Sequence, residues 1–235
     1  MFRRKLNRAM YTWRAIRSLR GIFERECPVC LFKGRFLPHG LPPRADARCP
    51  GCGSVERHRL FKLWLNKTPT AVYGRLLHFA PERAIAALLK PLVSKYVSAD
   101  LRPGRADVAL NIEKTGLPPG SFDCVVCSHV LEHVDDHAAL AEIQRILAPN
   151  GIAVLMVPIV EGWEKTFEDA SISTEAARQR FYGQGDHVRF YGADFRDRVL
   201  SAGFSLSEFT AIEPDVSRYS LTRGEKIFVA RKHSP

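Results

Sequence analysis

The sequence has no long apolar segment. Its longest uninterrupted apolar run extends from Gly151 to Val160, which is about half of the ~20 residues that a transmembrane helix requires. The first residues also lack the compact apolar stretch of a secretory signal peptide. With 235 residues and 46% hydrophobic side chains, the chain can nevertheless bury a full core. We therefore expect a globular protein in the cytoplasm.

Cysteine is scarce, and its distribution does not suit a framework of disulfides. Of six cysteines, four form two C-x2-C pairs that eighteen residues separate: Cys27 with Cys30, and Cys49 with Cys52. This spacing is typical of a structural zinc site closed by four thiolates. Redox chemistry of the thioredoxin type is the alternative, but two pairs in one short segment fit it poorly. The sequence predicts structural Zn2+ in a zinc ribbon over residues 26–54, in a reducing compartment.

The other two cysteines, Cys124 and Cys127, form a third C-x2-C pair inside the apolar segment FDCVVCS. Positions three apart along a strand point to opposite faces of a sheet, so these two thiols would not meet at one metal ion. They are predicted to be small side chains of the core.

Acidic side chains are almost absent from the first 25 residues. Eight lysines and arginines stand there against one acid, Glu24, so the segment carries +7 of the net charge of +10. Apolar residues recur between the cations at helical spacing, which predicts a basic amphipathic helix over residues 1–25. Four interpretations stay open: packing on the rest of the protein, contact with an anionic membrane, contact with nucleic acid, and a transit peptide.

After a predicted linking helix within residues 55–74, predicted strands alternate with predicted helices. Seven apolar segments predict strands: 75–79, 96–101, 107–112, 122–130, 151–159, 204–211 and 225–232. Helical spacing predicts helices at 82–90, after Asp135, and near 193–202. This order predicts an α/β fold with a doubly wound, mostly parallel sheet of seven strands in a domain over residues 75–235.

Glycine is missing from the turn where nucleotide-binding α/β proteins usually have it. RLLHFAPERA, at residues 75–84, leads from a predicted strand directly into a predicted helix, and Pro81 suits the first helical position. Polar groups nevertheless follow four neighbouring strands: His78, Asp100, Asn111 and Ser128–His129. Ligands of doubly wound sheets bind beyond the carboxyl ends of the strands. We therefore expect a nucleoside pocket there, in which Asp100 accepts hydrogen bonds from ribose hydroxyls.

The segment from Ser98 to Ile159 resembles the central part of the class I S-adenosylmethionine-dependent methyltransferases, in the broad group called type 11. The motifs are the acidic end of the second strand, SFDCVVCSHVLEHV, EIQRIL, and PNG before a buried strand. The likeness covers roughly residues 75–232. The cysteine module followed by GSVERHRL, and the later GQGDHVRFYGADF, resemble a subgroup with a zinc ribbon before this domain. The resemblance implies a Rossmann-like sheet, S-adenosylmethionine as cofactor, and methyl transfer.

The resemblance also implies which residues would bind the cofactor. They lie at the matching strand ends: His78, Phe79, Ala80, Glu82, Asp100, Leu101, Asn111, Ile112, Ser128 and His129. The sequence departs from the family at the first turn, which in the family has an acidic residue and a glycine-rich loop. Pro81 removes one N–H donor from the helix end, and we expect Glu82 near the amino group or sulfonium of the cofactor. The alternative is a site that has decayed.

Three histidines are candidates for the base that methyl transfer to a hydroxyl needs: His187, His129 and His133. His187 lies in the polar, glycine-flanked segment GQGDHVRFYG, where Asp186 could orient it. A purely structural interpretation stays open, in which Glu132 and His133 fix a turn and Asp186 pairs with Arg189.

Two motifs of nucleic-acid methyltransferases are absent. The fourth strand is not followed by an Asp/Asn-Pro-Pro-aromatic turn, and no Pro-Cys nucleophile follows a strand. A small-molecule, glycan or lipid-linked acceptor therefore fits better than nucleic acid. If the acceptor is lipid-linked, residues 1–25 would hold the enzyme at the inner membrane surface. Two other functions stay open: a zinc-ribbon protein that binds nucleic acid, and a catalytically silent scaffold with the methyltransferase fold.

Overall fold

A computed structural model describes residue 21 and residues 23–40 and 42–233 of the chain. The predicted amphipathic helix over residues 1–25 lies almost wholly outside these residues. The described chain divides into two compact units. The first contains the residues up to Lys67 together with Thr210–Glu225; the second contains Thr68–Phe209 and the residues from Lys226 onward. The sequence assigned Thr210–Glu225 to the domain over residues 75–235, whereas its contacts group it with the first unit.

The first unit contains the cysteine module. Its strands form two antiparallel pairs: β1 (Arg25–Glu26) with β2 (Lys33–Gly34), and β3 (Leu37–His39) with β4 (Arg44–Arg48). Helix α1 (Glu56–Lys67) follows, and it buries Leu60, Phe61 and Trp64. These three residues recur at i, i+1 and i+4, so they share one side of the helix, as the sequence predicts.

A buried arginine connects distant parts of the first unit. The Arg59 guanidinium is fully buried. It donates hydrogen bonds to the main-chain oxygens of Ala47 and Ser54 at 3.0 and 2.8 Å, and to those of Tyr219 and Ser220 at 2.7 and 2.6 Å. Because buried guanidinium groups are stable only when their donors are satisfied, these bonds fix the returning segment against α1.

The second unit is built on a seven-stranded sheet. The strands after α1 are, in chain order, β5 (Arg75–Phe79), β6 (Lys95–Asp100), β7 (Val108–Ala109), β8 (Phe122–Ser128), β9 (Leu147–Met156), β10 (Phe167–Glu168), β11 (Arg189–Phe190), β12 (Phe204–Thr210) and β13 (Lys226–Lys232). The large sheet has the order β12-β13-β9-β8-β5-β6-β7, and β10 pairs separately with β11. Strands β5 to β9 pair in parallel, and β13 is antiparallel to β9. The predicted seven-stranded, mostly parallel sheet is confirmed.

Four helices accompany the sheet in the second unit: α2 (Arg83–Leu89), α3 (Asp136–Ile146), α4 (Glu175–Tyr182) and α5 (Phe195–Ser201). Helix α3 begins as predicted, because the Asp135 carboxylate accepts a hydrogen bond from the Ala138 amide at 3.1 Å and caps the helix. Its buried Leu140 and Ile143 belong to the same core as the sheet residues Val125 and Leu155. The core therefore lies between α3 and the centre of the sheet.

Three predicted boundaries are wrong. Strand β7 covers Val108–Ala109 rather than residues 107–112. The Asp107 carboxylate instead accepts hydrogen bonds from the Ser98 amide and hydroxyl at 2.9 and 2.7 Å. Strand β9 begins at Leu147 rather than Gly151, because it pairs with β8 from Phe122 onward. Helix α2 begins at Arg83, so Pro81 precedes the helix instead of occupying its first position.

Among the described residues, no helix combines the length and the apolar character needed to cross a membrane.

Candidate active site

A cavity of about 160 Å³ lies at the carboxyl edge of the sheet, beyond β5, β6 and β7. Its walls are formed by Phe79, Ala80, Ala99, Asp100, Leu101, Leu110, Asn111, Ile112, Val130, His133 and Val134. Six of the ten predicted cofactor residues are among them. The other four, which do not line the cavity, are His78, Glu82, Ser128 and His129.

The glycine-free turn after β5 has a glycine-like backbone. Ala80 has φ of 45°, in the left-handed region that non-glycine residues rarely adopt. Its amide donates to the Ala99 carbonyl oxygen at 2.8 Å, which holds the turn against β6. Glu82 then occupies the N-cap position of α2 with extended backbone angles. The chain therefore makes the sharp strand-to-helix turn without glycine, at the cost of a strained alanine.

Asp100 and Asn111 meet at the cavity wall from two different segments. Asp100 ends β6, and its Oδ1 accepts a hydrogen bond from the Arg102 amide at 2.8 Å. Asn111 follows β7, and its Oδ1 accepts from the Glu113 amide at 3.0 Å. Each side chain thus fixes its own turn with one oxygen. In the described chain, Oδ2 of Asp100 has no partner and remains able to accept a hydrogen bond from a ligand.

His78 faces away from the cavity. Its side chain is fully buried, and its Nδ1 lies 2.9 Å from the Tyr96 hydroxyl. Burial lowers the pKa of His78 to about 4, so the imidazole is neutral at physiological pH. Neighbouring side chains of a strand point to opposite faces, and Phe79 is the one that reaches the cavity. The structure therefore places His78 outside the lining of the cavity.

Glu82 and Ser128 contact each other rather than the cavity. The Ser128 hydroxyl donates to Glu82 Oε1 at 3.2 Å. Ser128 is buried at the end of β8, and Glu82 precedes α2, so this hydrogen bond joins two neighbouring strand-to-helix connections. The predicted contact of Glu82 with the cofactor stays a prediction.

The three candidate histidines lie close together around a buried carboxylate. His129 has φ of 55°, and its Nδ1 lies 3.1 Å from Oε1 of the fully buried Glu132. His133 lines the cavity, and its Nδ1 lies 3.2 Å from the Asp186 carbonyl oxygen. The rings of His133 and His187 meet edge to face, with centroids 4.7 Å apart. The chain therefore brings together all three histidines that the sequence singles out.

The segment carrying His187 is held tightly against the turn at residues 131–134. The Val188 amide donates to the Glu132 carbonyl oxygen at 2.9 Å. The Arg189 guanidinium donates to the carbonyl oxygens of Leu131 and Val134 at 2.8 and 2.6 Å. Two distant parts of the sequence thus form one rigid group at the edge of the cavity.

Asp186 and Arg189 of this segment have other hydrogen-bond and ion-pair partners than the two that the sequence suggested. Asp186 lies against His133, with Oδ2 3.5 Å from Nδ1, so its hydrogen-bond contact is to that ring rather than to His187. Arg189 does not pair with Asp186; it forms ion pairs with Glu168 at 2.8 Å and Asp136 at 3.5 Å. Both partners of Arg189 lie outside the motif GQGDHVRFYG, so the motif alone could not indicate them.

Burial favours the neutral form of the His187 imidazole. Its side chain is almost fully buried, and this burial lowers its pKa, against the opposing effect of the Glu132 carboxylate. Its Nδ1 has no hydrogen-bond partner among the described residues, and neither has Oε2 of Glu132. Glu132 is the part of this group that sequence reasoning missed, because its place in a charged motif, LEHVDD, suggests an exposed turn.

The four predicted zinc ligands form a compact cluster in the first unit. The sulfur atoms of Cys27 and Cys52 are 3.7 Å apart, and those of Cys30 and Cys49 are 3.6 Å apart. A tetrahedral Zn2+ with Zn–S bonds of ~2.3 Å places its sulfurs about 3.8 Å apart. The Ser54 hydroxyl lies 3.3 and 3.2 Å from the sulfurs of Cys27 and Cys52. The four-cysteine cluster is confirmed and its geometry suits zinc, which stays the predicted occupant.

The other two cysteines are separate from this cluster. Cys124 and Cys127 are both buried in β8 as free thiols. Burial raises the pKa of the Cys124 thiol to about 11, and it raises that of Cys127 further. They behave as the small core side chains that the sequence predicts.

Comparison with known proteins bears on the unit that holds the cavity. Residues 70–155 match a family described as the methyltransferase domain. This part of the chain is similar to a methyltransferase domain. A similar protein is the ubiquinone biosynthesis O-methyltransferase of Psychrobacter arcticus, 30% identical over 109 residues, which are 44% of this chain and 42% of that protein. The chain therefore spans under half of the length of the curated relative that it matches.

Solved structures share the fold of about three quarters of this chain. An S-adenosylmethionine dependent methyltransferase from Mesorhizobium loti has a TM-score of 0.54 at 17% identity, covering 74% of this chain and 98% of its own. The YcgJ protein of Bacillus subtilis has a TM-score of 0.53 at 14% identity, covering 76% and 100%. The predicted Rossmann-like methyltransferase fold is confirmed. The roles of individual residues at the cavity stay predictions.

Proposed function

We propose that this protein transfers a methyl group from S-adenosylmethionine to a small-molecule, glycan or lipid-linked acceptor. The observation that supports this proposal is the meeting of Asp100 and Asn111 on the wall of one cavity, at the carboxyl edge of a methyltransferase domain. Ligands of parallel α/β sheets bind at that edge.

The residues at the cavity fit the cofactor. Asp100 retains one carboxylate oxygen able to accept hydrogen bonds from ribose hydroxyls, since only Oδ1 is used by the Arg102 amide. Phe79 and Ile112 supply apolar walls of the kind that hold an adenine ring. The left-handed backbone at Ala80 provides the sharp turn that glycine makes elsewhere in the family.

When bound, S-adenosylmethionine supplies a methyl group on a sulfonium that is already activated for displacement. The chain then has to align the acceptor and exclude water. Of the three candidate histidines, His133 lines the cavity, whereas His187 is buried against its ring and His129 is engaged by Glu132. We therefore assign His133 to the acceptor side, with His129 and His187 supporting it through Glu132 and ring contact.

The acceptor class is proposed on two grounds. The relative from Psychrobacter arcticus is named as an O-methyltransferase of ubiquinone biosynthesis, which supports a hydroxyl acceptor on a small or lipid-linked molecule. The eight basic residues among positions 1–25 would favour an anionic membrane surface, where a lipid-linked acceptor is found. Nucleic acid is the less favoured acceptor, because the sequence lacks both motifs named above.

Isothermal titration of the zinc-loaded protein with S-adenosylmethionine tests the cofactor assignment. We expect saturable binding, and formation of S-adenosylhomocysteine when a lipid extract is added as a pool of acceptors. Absence of cofactor binding would leave the silent scaffold as the correct interpretation. Binding without turnover on lipid, polar small-molecule or glycan fractions would confine the proposal to the cofactor and remove the acceptor class.

A further inference from the structure

Two buried polar atoms beside the cavity have no hydrogen-bond partner among the described residues: Oε2 of Glu132 and Nδ1 of His187. Both side chains are essentially removed from solvent, at 0% and 4% exposure. A buried carboxylate oxygen and a buried imidazole nitrogen are costly to leave unsatisfied. Since none of the described residues supplies a donor or acceptor to either atom, a bound species is the natural partner for both.

The ligand atoms offered by Glu132, His133 and His187 lie within 4.8 Å of one another. A metal ion with bonds of ~2.1 Å to nitrogen and oxygen holds neighbouring ligand atoms about 3–3.5 Å apart. A closure of at most about 1.3–1.8 Å, within the reach of side-chain rotation, is enough to bring the three atoms to one ion. From these observations we propose that Glu132, His133 and His187 bind a divalent transition-metal ion.

Two of the three ligands, His133 and Glu132, have outer partners that restrict the orientation of their side chains. His133 Nδ1 lies 3.2 Å from the Asp186 carbonyl oxygen, which accepts a hydrogen bond from Nδ1–H, so that Nε2 of the neutral ring keeps a free lone pair. His129 Nδ1 lies 3.1 Å from Oε1 of Glu132, which leaves Oε2 as the unpartnered oxygen. Metal-bound histidines and carboxylates commonly have such outer partners.

The backbone around the site is equally fixed. The Val188 amide binds the Glu132 carbonyl oxygen, and Arg189 binds the carbonyl oxygens on both sides of the Glu132–His133 turn. His187 therefore cannot swing away from Glu132 without breaking several hydrogen bonds. Because this backbone is already fixed, metal binding would lose little of the conformational entropy that weakens binding by flexible loops.

The set of ligands selects the class of ion. Two imidazoles and one carboxylate favour zinc, iron, cobalt, nickel or manganese, whereas magnesium and calcium prefer oxygen ligands alone. Three protein ligands leave coordination positions open. Because His133 also lines the cavity, an open position on that side could take an oxygen atom of the acceptor and lower its pKa. This last step rests on the proposed methyl transfer, whereas metal binding itself does not.

Cobalt titration of the protein loaded with only one equivalent of zinc, which the four cysteines take up, tests the site in the absence of S-adenosylmethionine. We expect one equivalent of Co2+ beyond the zinc held by the cysteines, with weak visible bands that lack the intense charge transfer of thiolate ligands. His187→Ala should weaken this binding about 100-fold or abolish it, and the outer variant His129→Ala should weaken it about 10-fold. His137→Ala, which removes an exposed histidine of the same region, should bind like the wild type.

The isosteric variant Glu132→Gln provides a second test if His187→Ala fails to fold. It keeps the shape of the side chain but removes the charge, so it should also lose the extra cobalt while its zinc content stays at one per chain. The proposal is overturned if the wild type takes up no Co2+ beyond its zinc. Equal binding by wild type and Glu132→Gln, or loss of binding in His137→Ala, would also overturn it.

Discussion

Replacement of Asp100 is the sharpest test of the cavity, because the two oxygens of its carboxylate have different tasks. Oδ1 accepts a hydrogen bond from the Arg102 amide at 2.8 Å and fixes the turn after β6. Oδ2 has no partner within the described chain, and Asp100 lines the cavity. Asp100→Asn keeps an oxygen for the turn and removes the charge, whereas Asp100→Ala removes both.

The expected loss follows from the strength of hydrogen bonds to a charged acceptor. Such a bond contributes about 1.5–3 kcal/mol, which corresponds to about 10- to 150-fold in affinity. We expect Asp100→Asn to weaken S-adenosylmethionine binding within this range, since one charged acceptor becomes neutral. Asp100→Ala should lie at its upper end or beyond, because the turn that positions Leu101 loses its side-chain hydrogen bond as well.

Isothermal titration with S-adenosylmethionine provides the measurement, and thermal unfolding with zinc content shows whether each variant is folded. Asp197→Asn is the matched control, since this exposed aspartate of α5 does not line the cavity. If both Asp100 variants bind within about twofold of the wild type, the nucleoside does not lie at the end of β6. The argument from strand ends would then be wrong, whatever the affinity of the wild type.

Three further predictions concern the turn, the pH dependence of stability, and the zinc. Ala80→Gly should raise the melting temperature and leave cofactor affinity unchanged or higher, because glycine removes about 1 kcal/mol of left-handed strain; lower stability would contradict this. The Arg145 guanidinium, with Thr115, lowers the pKa of Glu142 to about 2. The ionised carboxylate therefore adds at most ~3 kcal/mol to the free energy of unfolding, and about 1–2 kcal/mol after screening by solvent. This stabilisation is present above pH ~4.5 and is lost as the pH falls towards 2, so the free energy of unfolding in urea should not show this pH dependence in Glu142→Gln. Chelation of the zinc should unfold the first unit. We expect mass spectrometry to find one zinc per chain, and we expect chelation to remove the helical signal of α1. A chain that stays folded without metal would refute this prediction.

The sheet could be predicted from the sequence because its strands are apolar segments bounded by turn residues. β8 is buried at almost every position, and such a strand is visible as a continuous apolar run. The parts that could not be predicted are short and polar. Helix α4 buries only Tyr182, and β10 and β11 have two residues each. The helical period of apolar residues is therefore missing from α4, and the strands are too short to show the alternation of a strand.

The candidate site was predictable where it depends on strand ends and unpredictable where it depends on side-chain direction. Asp100 and Asn111 could be found because carboxyl ends of parallel strands share one edge. The sequence could not distinguish His78, which is buried outside the cavity lining, from its neighbour Phe79, which lines the cavity. The burial of Glu132 had no signal in one sequence, because it results from residues 187–191 closing over the turn from 50 or more positions away.

The backbone conformation of Ala80 bears on whether a turn without glycine can still accommodate the cofactor. Its left-handed backbone shows that the chain follows the same sharp path that glycine permits, and the hydrogen bond to Ala99 at 2.8 Å holds it there. Relative to the pattern that the family resemblance implies, the turn lacks the acidic residue and the glycines, Ala80 adds one methyl group at the cavity wall, and Pro81 has no N–H donor. A methyl group narrows the opening but leaves Asp100 and Asn111 in place, so a decayed site would require the methyl to collide with the ligand. Higher affinity in Ala80→Gly without any change in the effect of Asp100→Asn would measure that collision directly.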